Sequence, residues 1–179
     1  MASFTLEEIE KATGASLLQK GEDAFVEGVS TDTRTISRGE LFIALIGENF
    51  NGHEFLKRAV LSGASAVMIS DASYGKNIDA HVSVFLVKDT KKGLEDLAHF
   101  HRMRFQVPVI GVTGSNGKTT TKDMITSILR TRFHVTATEK NFNNEIGLSM
   151  TLLSMTAETE VCVVEMGMRG FGQIAELCT

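Results

Sequence analysis

The sequence predicts a parallel α/β protein built in two segments, and three observations carry that expectation. Short apolar runs alternate with amphipathic stretches along most of the chain. The pattern then restarts after the only proline, Pro108, with "VIGVTG" (109–114). Finally, a Gly-rich turn leads directly into a lysine-threonine pair and a helical pattern, the order strand, turn, helix. The boundary is expected near residues 105–108, giving domains 1–105 and 106–179.

In chain order, "TLEE" offers a capping box, Thr5 with Glu8, and Gly14 can close the helix it starts. "AFVEGV" (24–29) and "LFIAL" (41–45) read as strands. "HEFLKRAVLS" reads as a helix with Phe55, Leu56, Ala59 and Val60 on its inner face. Gly63 stops it, and a strand follows at Ala66 to Ile69. "VSVFLV" (82–87) is another strand. Asp89 or Thr90 can cap a helix running through Arg104, with Leu94, Leu97 and Ala98 at helical spacing.

Beyond Pro108 a buried-looking strand passes into a helix expected to turn Met124, Ile125, Ile128 and Leu129 inward. "HVTAT" (134–138) follows as a strand, then a helix from about Glu145, then the strand "VCVVEM" (161–166). "GFGQIAELCT" (170–179) has the pattern of a helix cut short. Only two strands follow the Gly-rich turn, so the second domain is expected to be truncated.

Composition excludes several classes. With 42% hydrophobic residues in 179, the chain can bury a core. Its 18 basic and 22 acidic residues, net −4, give no electrostatic footprint for nucleic acid. The longest strongly apolar stretch, Leu41 to Ile46, is far short of a membrane span. The acidic start lacks the basic-then-apolar pattern of a secretory segment. Cys162 and Cys178 form neither a disulfide framework nor a metal-ligand spacing. A soluble cytoplasmic protein is expected. His53 is expected to anchor a turn, and His99 and His101 point to different faces of their helix, which disfavours a shared metal.

The turn itself is an off-register phosphate loop. In the strict pattern a glycine stands six residues before the lysine, and here that position is Val112. What remains is Gly114, Ser115, Asn116, Gly117, Lys118, Thr119 and Thr120 between a strand and a helix. Glycines let successive backbone N–H groups curl around an anion, and the helix start adds partial positive charge. Lys118 can reach the β- and γ-phosphates of a nucleotide, and the Thr119 hydroxyl can ligate Mg²⁺. Glu165, at the carboxyl end of a strand expected beside this one, can hold the same metal, since ligands of open parallel sheets sit at those ends. Asn141, Asn143 and Asn144 lie in the loop "NFNN" before a helix, where asparagines serve as turns and caps or face a substrate. "STDTR" (30–34) is either a capped turn with a surface arginine or a hydroxyl- and arginine-bearing loop suited to a diphosphate or ribose.

Together these stretches resemble the Mur ligases, the ATP-dependent amide-forming enzymes of bacterial cell-wall synthesis. "VTGSNGKTTT" is similar to that family's phosphate loop. "NFNNEIG", "MTLL" and "VVEMGM" resemble the branch that joins UDP-MurNAc-tripeptide to D-Ala-D-Ala. "STDTR", "RGELFIAL", "GENFNGHEF" and "AVLSGASAV" resemble the same branch's N-terminal domain, where the UDP end of the substrate binds. The resemblance implies an N-terminal UDP-substrate-binding α/β domain followed by the first part of a P-loop ATPase domain. It implies that Gly114 to Thr120 bind ATP, that Thr119 and Glu165 bind Mg²⁺, and that Lys118, Asn144 and Glu165 serve catalysis. It also implies that Ser30, Thr31, Asp32, Arg34 and Asn143 face the substrate. Three positions depart from the branch's pattern: Ser149, where proline is common, Asn51, where aspartate is, and Gln173, where glutamate is.

The reaction implied has two steps. A substrate carboxylate attacks the γ-phosphate of ATP to form an acyl phosphate, and the amine of D-Ala-D-Ala then displaces phosphate. The family continues beyond the length seen here, so the chain is expected to be an N-terminal part without complete ligase activity of its own. A UDP-sugar-binding module with a vestigial ATP site, or another Mur-type ATP-dependent ligase, are the alternatives.

Overall fold

The computed structural model describes residues 2–139, 142–168 and 170–178. It divides into two compact units, Met1–Leu97 and Ala98–Thr179.

The first unit opens with β1 (Phe4–Thr5) and α1 (Leu6–Thr13). The capping box forms: Glu8 N–H donates to Thr5 Oγ1 at 3.2 Å, and Thr5 N–H donates to Glu8 Oε2 at 2.9 Å. Gly14, at φ 64°, ends the helix in the left-handed region. There follow β2 (Ser16–Gln19), β3 (Phe25–Val26), β4 (Val29–Ser30), β5 (Leu41–Ile43), β6 (Ile46–Gly47) and β7 (Phe50–Asn51). A 3₁₀ turn at Gly52–Phe55 leads into α2 (Leu56–Leu61), then β8 (Ala66–Ile69), a 3₁₀ turn at Ala72–Asn77, and β9 (Ser83–Leu86).

The main sheet runs β2-β9-β8-β5-β4. Strands β4, β5, β8 and β9 are mutually parallel, and β2 joins antiparallel. Phe42, Val67, Ile69 and Val84 from the sheet pack with Leu56 and Ala59 of α2. "AFVEGV" is not one strand. It splits into β3, paired with β1, and β4, paired with β5. Phe55 also departs from expectation: it stands in the 3₁₀ turn and is 41% exposed, because the switch in helical pitch rotates it off the face of Leu56 and Ala59.

Helix α3 (Thr90–Arg102) crosses the division between the units. Asp89 is its cap, accepting the N–H groups of Lys91 and Lys92 at 2.8 and 3.3 Å. The Thr90 hydroxyl instead donates to the Ala44 carbonyl at 2.9 Å, tying the helix start to the end of β5.

The second unit holds β10 (Val109–Val112), α4 (Lys118–Leu129), β11 (Val135–Ala137), α5 (Glu145–Leu153), β12 (Val161–Glu165) and α6 (Gln173–Leu177). Its sheet is parallel, in the order β10-β12-β11. Central β12 is buried on both faces, as parallel strands usually are. Cys162, Val164 and Met166 pack with Leu148 and Met155, while Val161 and Val163 pack with Ile125 and Leu129 of α4. The expected inner face of α4 is half right. Ile125 and Leu129 face the sheet, but Met124 and Ile128 are 64% and 70% exposed. The residues that complete the inner stripe are Lys122 and Thr126, each three positions before Ile125 and Leu129 respectively. Among the described residues no helix is long and apolar enough to cross a membrane.

Candidate functional site

Ladder register brings the phosphate loop and the acidic strand end together. Val112, the last residue of β10, pairs with Glu165, the last of β12, and Met166 N–H donates to the Val112 carbonyl at 2.9 Å. Side chains alternate along a strand, so Glu165 lies on the same face of β12 as Val161 and Val163, the face packed by α4. The loop from Thr113 to Gly117 connects β10 to that helix. Gly114, at φ 149°, and Gly117, at φ 75°, hold backbone conformations that side chains disfavour. Ser115, Asn116, Thr119 and Thr120 are exposed, and Lys118 is half-buried. Lys118 Nζ donates to the Gly114 carbonyl at 2.7 Å, so the lysine closes over its own loop.

Glu165 is 1% exposed. Its Oε1 accepts from Asn143 Nδ2 at 3.0 Å, and its N–H donates to Thr138 Oγ1 at 3.0 Å. Its Oε2 is buried with no hydrogen-bond partner among the described residues. Burying a carboxylate oxygen without a donor costs several kcal/mol by the general rule (about 1–3 for a neutral group and more for a charged one), and a cation removes that cost.

The two described asparagines divide their work. Asn143 grips Glu165 with its side chain and accepts Gly167 N–H on its carbonyl at 2.7 Å. Asn144 caps α5, its Oδ1 accepting Gly147 N–H at 2.9 Å. Asn141 lies outside the described residues. Gly147 lets the loop approach: a Cβ there would stand 2.4 Å from the Phe142 carbonyl carbon.

In the first unit the "STDTR" stretch begins at Ser30, the last residue of β4, and continues past the carboxyl edge of the sheet. Ser30 is buried, and its hydroxyl both donates to the Asp32 carbonyl at 3.1 Å and accepts Asp32 N–H at 3.3 Å. Thr31 is half-buried. Arg34 meets the Asp32 carboxylate through Nε at 3.0 Å to each oxygen and through Nη2 at 2.6 Å. Hydrogen bonds from the Arg34 side chain and backbone hold the Asp32 carboxyl down at about 2. The Arg34 side chain is 76% exposed and reachable from solvent. The same edge carries a cavity of about 300 Å³ lined by Ile46, Ser70, Lys88, Asp89, Thr90 and Lys91.

His53 acts as a turn anchor. Its Nε2 accepts Ser70 N–H at 2.9 Å, so Nδ1 carries the proton and donates to Asn51 Oδ1 at 2.7 Å. Among the described residues no group of His, Cys, Asp and Glu is arranged to hold a metal by itself.

Sequence reasoning missed Lys122 and Thr138. Lys122 is 4% exposed and donates from Nζ to the Thr138 carbonyl at 2.9 Å. Its position four residues after Lys118, on the same helix face, is the signal that could have found it.

Two α/β units, one on a mainly parallel sheet and one on a parallel sheet with a Gly-Lys-Thr loop leading into a helix, define an α/β protein of P-loop type. The model of the Mur ligase family catalytic domain matches residues 25–102, and that of the Mur ligase middle domain matches residues 112–179. The chain belongs to the Mur ligase family. Among its relatives, the UDP-N-acetylmuramoyl-tripeptide–D-alanyl-D-alanine ligase of Bacillus subtilis is 47% identical over 153 residues, 86% of this chain and 33% of the relative. The Escherichia coli enzyme of that name is 37% identical over 98% of this chain and 37% of its own length. Crystal structures agree. MurF from Acinetobacter baumannii superposes with a TM-score of 0.87 at 32% identity, covering 98% of this chain and 38% of that one. MurF ligase from Thermotoga maritima, in complex with ADP, gives 0.73 at 34% identity over 84% of this chain and 34% of its own. The chain thus spans about a third of the length of the relatives it matches.

Proposed function

We propose that this chain supplies the UDP-substrate-binding part and the nucleotide-binding part of a cytoplasmic, ATP-dependent ligase that joins UDP-MurNAc-tripeptide to D-Ala-D-Ala through an acyl phosphate. The observation that carries the reading is the pairing of Val112 with Glu165, which sets a buried carboxylate oxygen, without a donor among the described residues, beside a Gly-Lys-Thr loop. The relatives' names supply the substrates.

On this reading the backbone N–H groups at the start of α4 and Lys118 bind the phosphates of ATP, and Lys118 exchanges the Gly114 carbonyl for them. Glu165 would hold a Mg²⁺ ion together with Thr119, since Glu165 Oε2 is buried with no hydrogen-bond partner among the described residues; bound there, the metal would neutralise phosphate charge. Asn143 orients the Glu165 carboxylate. Asn144 caps α5 and keeps its amide for the acyl-phosphate side. Ser30 and Asp32 shape the loop from which Arg34 reaches the UDP diphosphate, with Thr31 beside them. The protein's task is to align two anions that repel each other and to screen their charge.

Titration calorimetry of the chain with UDP-MurNAc-tripeptide and with Mg-ATP tests this. Both are expected to bind, and Lys118→Ala is expected to abolish only the Mg-ATP heat. Binding of the UDP compound alone would instead support a UDP-sugar-binding module with a vestigial ATP site, and binding of neither would overturn the assignment.

A further inference from the structure

We propose that Lys122 is a positioning residue for the magnesium-binding carboxylate, acting on Glu165 through Thr138; this rests on the nucleotide-site reading above. Lys122 stands on the inner face of α4 at 4% exposure, where an apolar residue would serve packing. Taking an ammonium out of water costs several kcal/mol unless it is paired, so such a residue is held by its partners. Its Nζ has two partners among the described residues. One is the carboxylate of Asp123 at 2.8 Å, a group that is itself 62% exposed. The other is the Thr138 carbonyl at 2.9 Å, and that residue is 2% exposed.

Thr138 is held from two sides. Its N–H donates to the Val163 carbonyl of β12 at 3.0 Å, and its hydroxyl oxygen accepts Glu165 N–H at 3.0 Å. Lys122 therefore fixes, through one residue, the backbone from which the Glu165 carboxylate projects. The carboxylate is fixed a second time by Asn143 on Oε1, and Oε2 has no hydrogen-bond partner among the described residues and faces a cation on this reading.

The arrangement also joins the two ends of the site. Lys118, at the phosphate loop, and Lys122 are four residues apart and share one face of a single helix. Any displacement of α4 that moved the phosphate lysine would also move the anchor of the metal carboxylate. Groups that orient a metal ligand without touching the metal typically change affinity by about 10–100-fold when removed.

The test is calorimetry of the chain with ATP at saturating Mg²⁺ and again in a chelator, for wild type, Glu165→Gln, Lys122→Met, Lys122→Arg and Thr138→Val. The readout is the ratio of the two affinities, which a purely structural role would leave unchanged. Wild type is expected to gain affinity from Mg²⁺, and Glu165→Gln to lose that gain. Lys122→Met and Thr138→Val are expected to reduce it by about tenfold or more while keeping the metal-free affinity, with Lys122→Arg restoring most of it. If Lys122→Met does not fold, Thr138→Val decides, because it removes only the hydroxyl that accepts Glu165 N–H. Loss in Glu165→Gln with a wild-type ratio in Lys122→Met or, failing that, Thr138→Val overturns this inference alone. No magnesium gain in wild type, or an unchanged gain in Glu165→Gln, overturns the site reading and the inference with it.

Discussion

Asn143 donates from Nδ2 to Oε1 of Glu165 at 3.0 Å, the one hydrogen bond this carboxylate, only 1% exposed, accepts among the described residues. Hydrogen bonds to charged groups contribute about 1.5–3 kcal/mol, and a buried acceptor stripped of its donor keeps its full desolvation cost. Asn143→Ala should therefore lower stability by about 1–3 kcal/mol, read by urea denaturation. Saturating Mg-ATP should return part of the loss, because a ligand that binds the folded state stabilises it by mass action. A midpoint unchanged from wild type would show that the contact contributes nothing.

His53 gives the first unit a pH dependence of definite sign. Burial pushes its pKa below the ordinary 6.5, against a smaller opposing pull from Asp71. The folded state uses the neutral ring, which accepts Ser70 N–H and donates to Asn51. Below about 6.5 the unfolded chain takes up a proton that the folded chain resists, so stability is full above that pH and falls as pH drops toward the depressed folded value. Denaturation followed by the fluorescence of Tyr74, the only tyrosine in a chain without tryptophan, reads this unit. Its ring lies 5.0 Å from that of His53. His53→Gln should flatten the acid limb; an equal slope in both proteins would assign the effect elsewhere.

Gly147 reverses the usual rule for glycine in a helix. Alanine is favoured there by roughly 1 kcal/mol on propensity alone. A Cβ at this position would, however, stand 2.4 Å from the Phe142 carbonyl carbon and 2.5 Å from its Cα, and backbone does not yield cheaply. Gly147→Ala should thus destabilise by about 1–3 kcal/mol in a thermal melt. It should also weaken Mg-ATP binding, since Asn143 and Asn144 belong to the segment displaced. A raised melting temperature would refute the close approach.

What the sequence disclosed and what it hid follow from the range of the interactions. The capping box of Thr5 and Glu8, the strands at Ala66 to Ile69 and Val161 to Glu165, and the Gly-rich turn from β10 into α4 are local patterns, and local patterns are legible. The neighbour relation of Val112 and Glu165 was foreseeable because parallel α/β sheets bring ligand-binding strand ends to one edge. The inner face of α4 was not. Met124 and Ile128 are the apolar choice by composition, whereas Lys122 is buried because a carbonyl at Thr138, distant in sequence, receives it. The break of "AFVEGV" has the same origin: β3 pairs with β1 and β4 with β5, tertiary pairings that no window of adjacent residues reveals.

Arg34 separates binding from stability. Its guanidinium grips Asp32 through two nitrogens, yet its side chain is 76% exposed, and exposed ion pairs contribute about 0–1 kcal/mol. The backbone turn survives without it, since Asp32 still accepts the N–H of residue 34 on Oδ1 and the N–H of Ile36 on its carbonyl. Arg34→Ala should therefore leave the melting temperature nearly unchanged. If Arg34 exchanges Asp32 for the diphosphate of the UDP substrate, the same change removes a charge-assisted hydrogen bond of about 1.5–3 kcal/mol, or roughly 10–150-fold in affinity. Arg34→Lys should recover little, because an ammonium cannot offer two parallel N–H groups. Calorimetry with UDP-MurNAc-tripeptide, alongside a melt of each variant, checks both halves. Unchanged affinity with an unchanged melt would leave Arg34 as a surface partner of Asp32 and remove it from the substrate site.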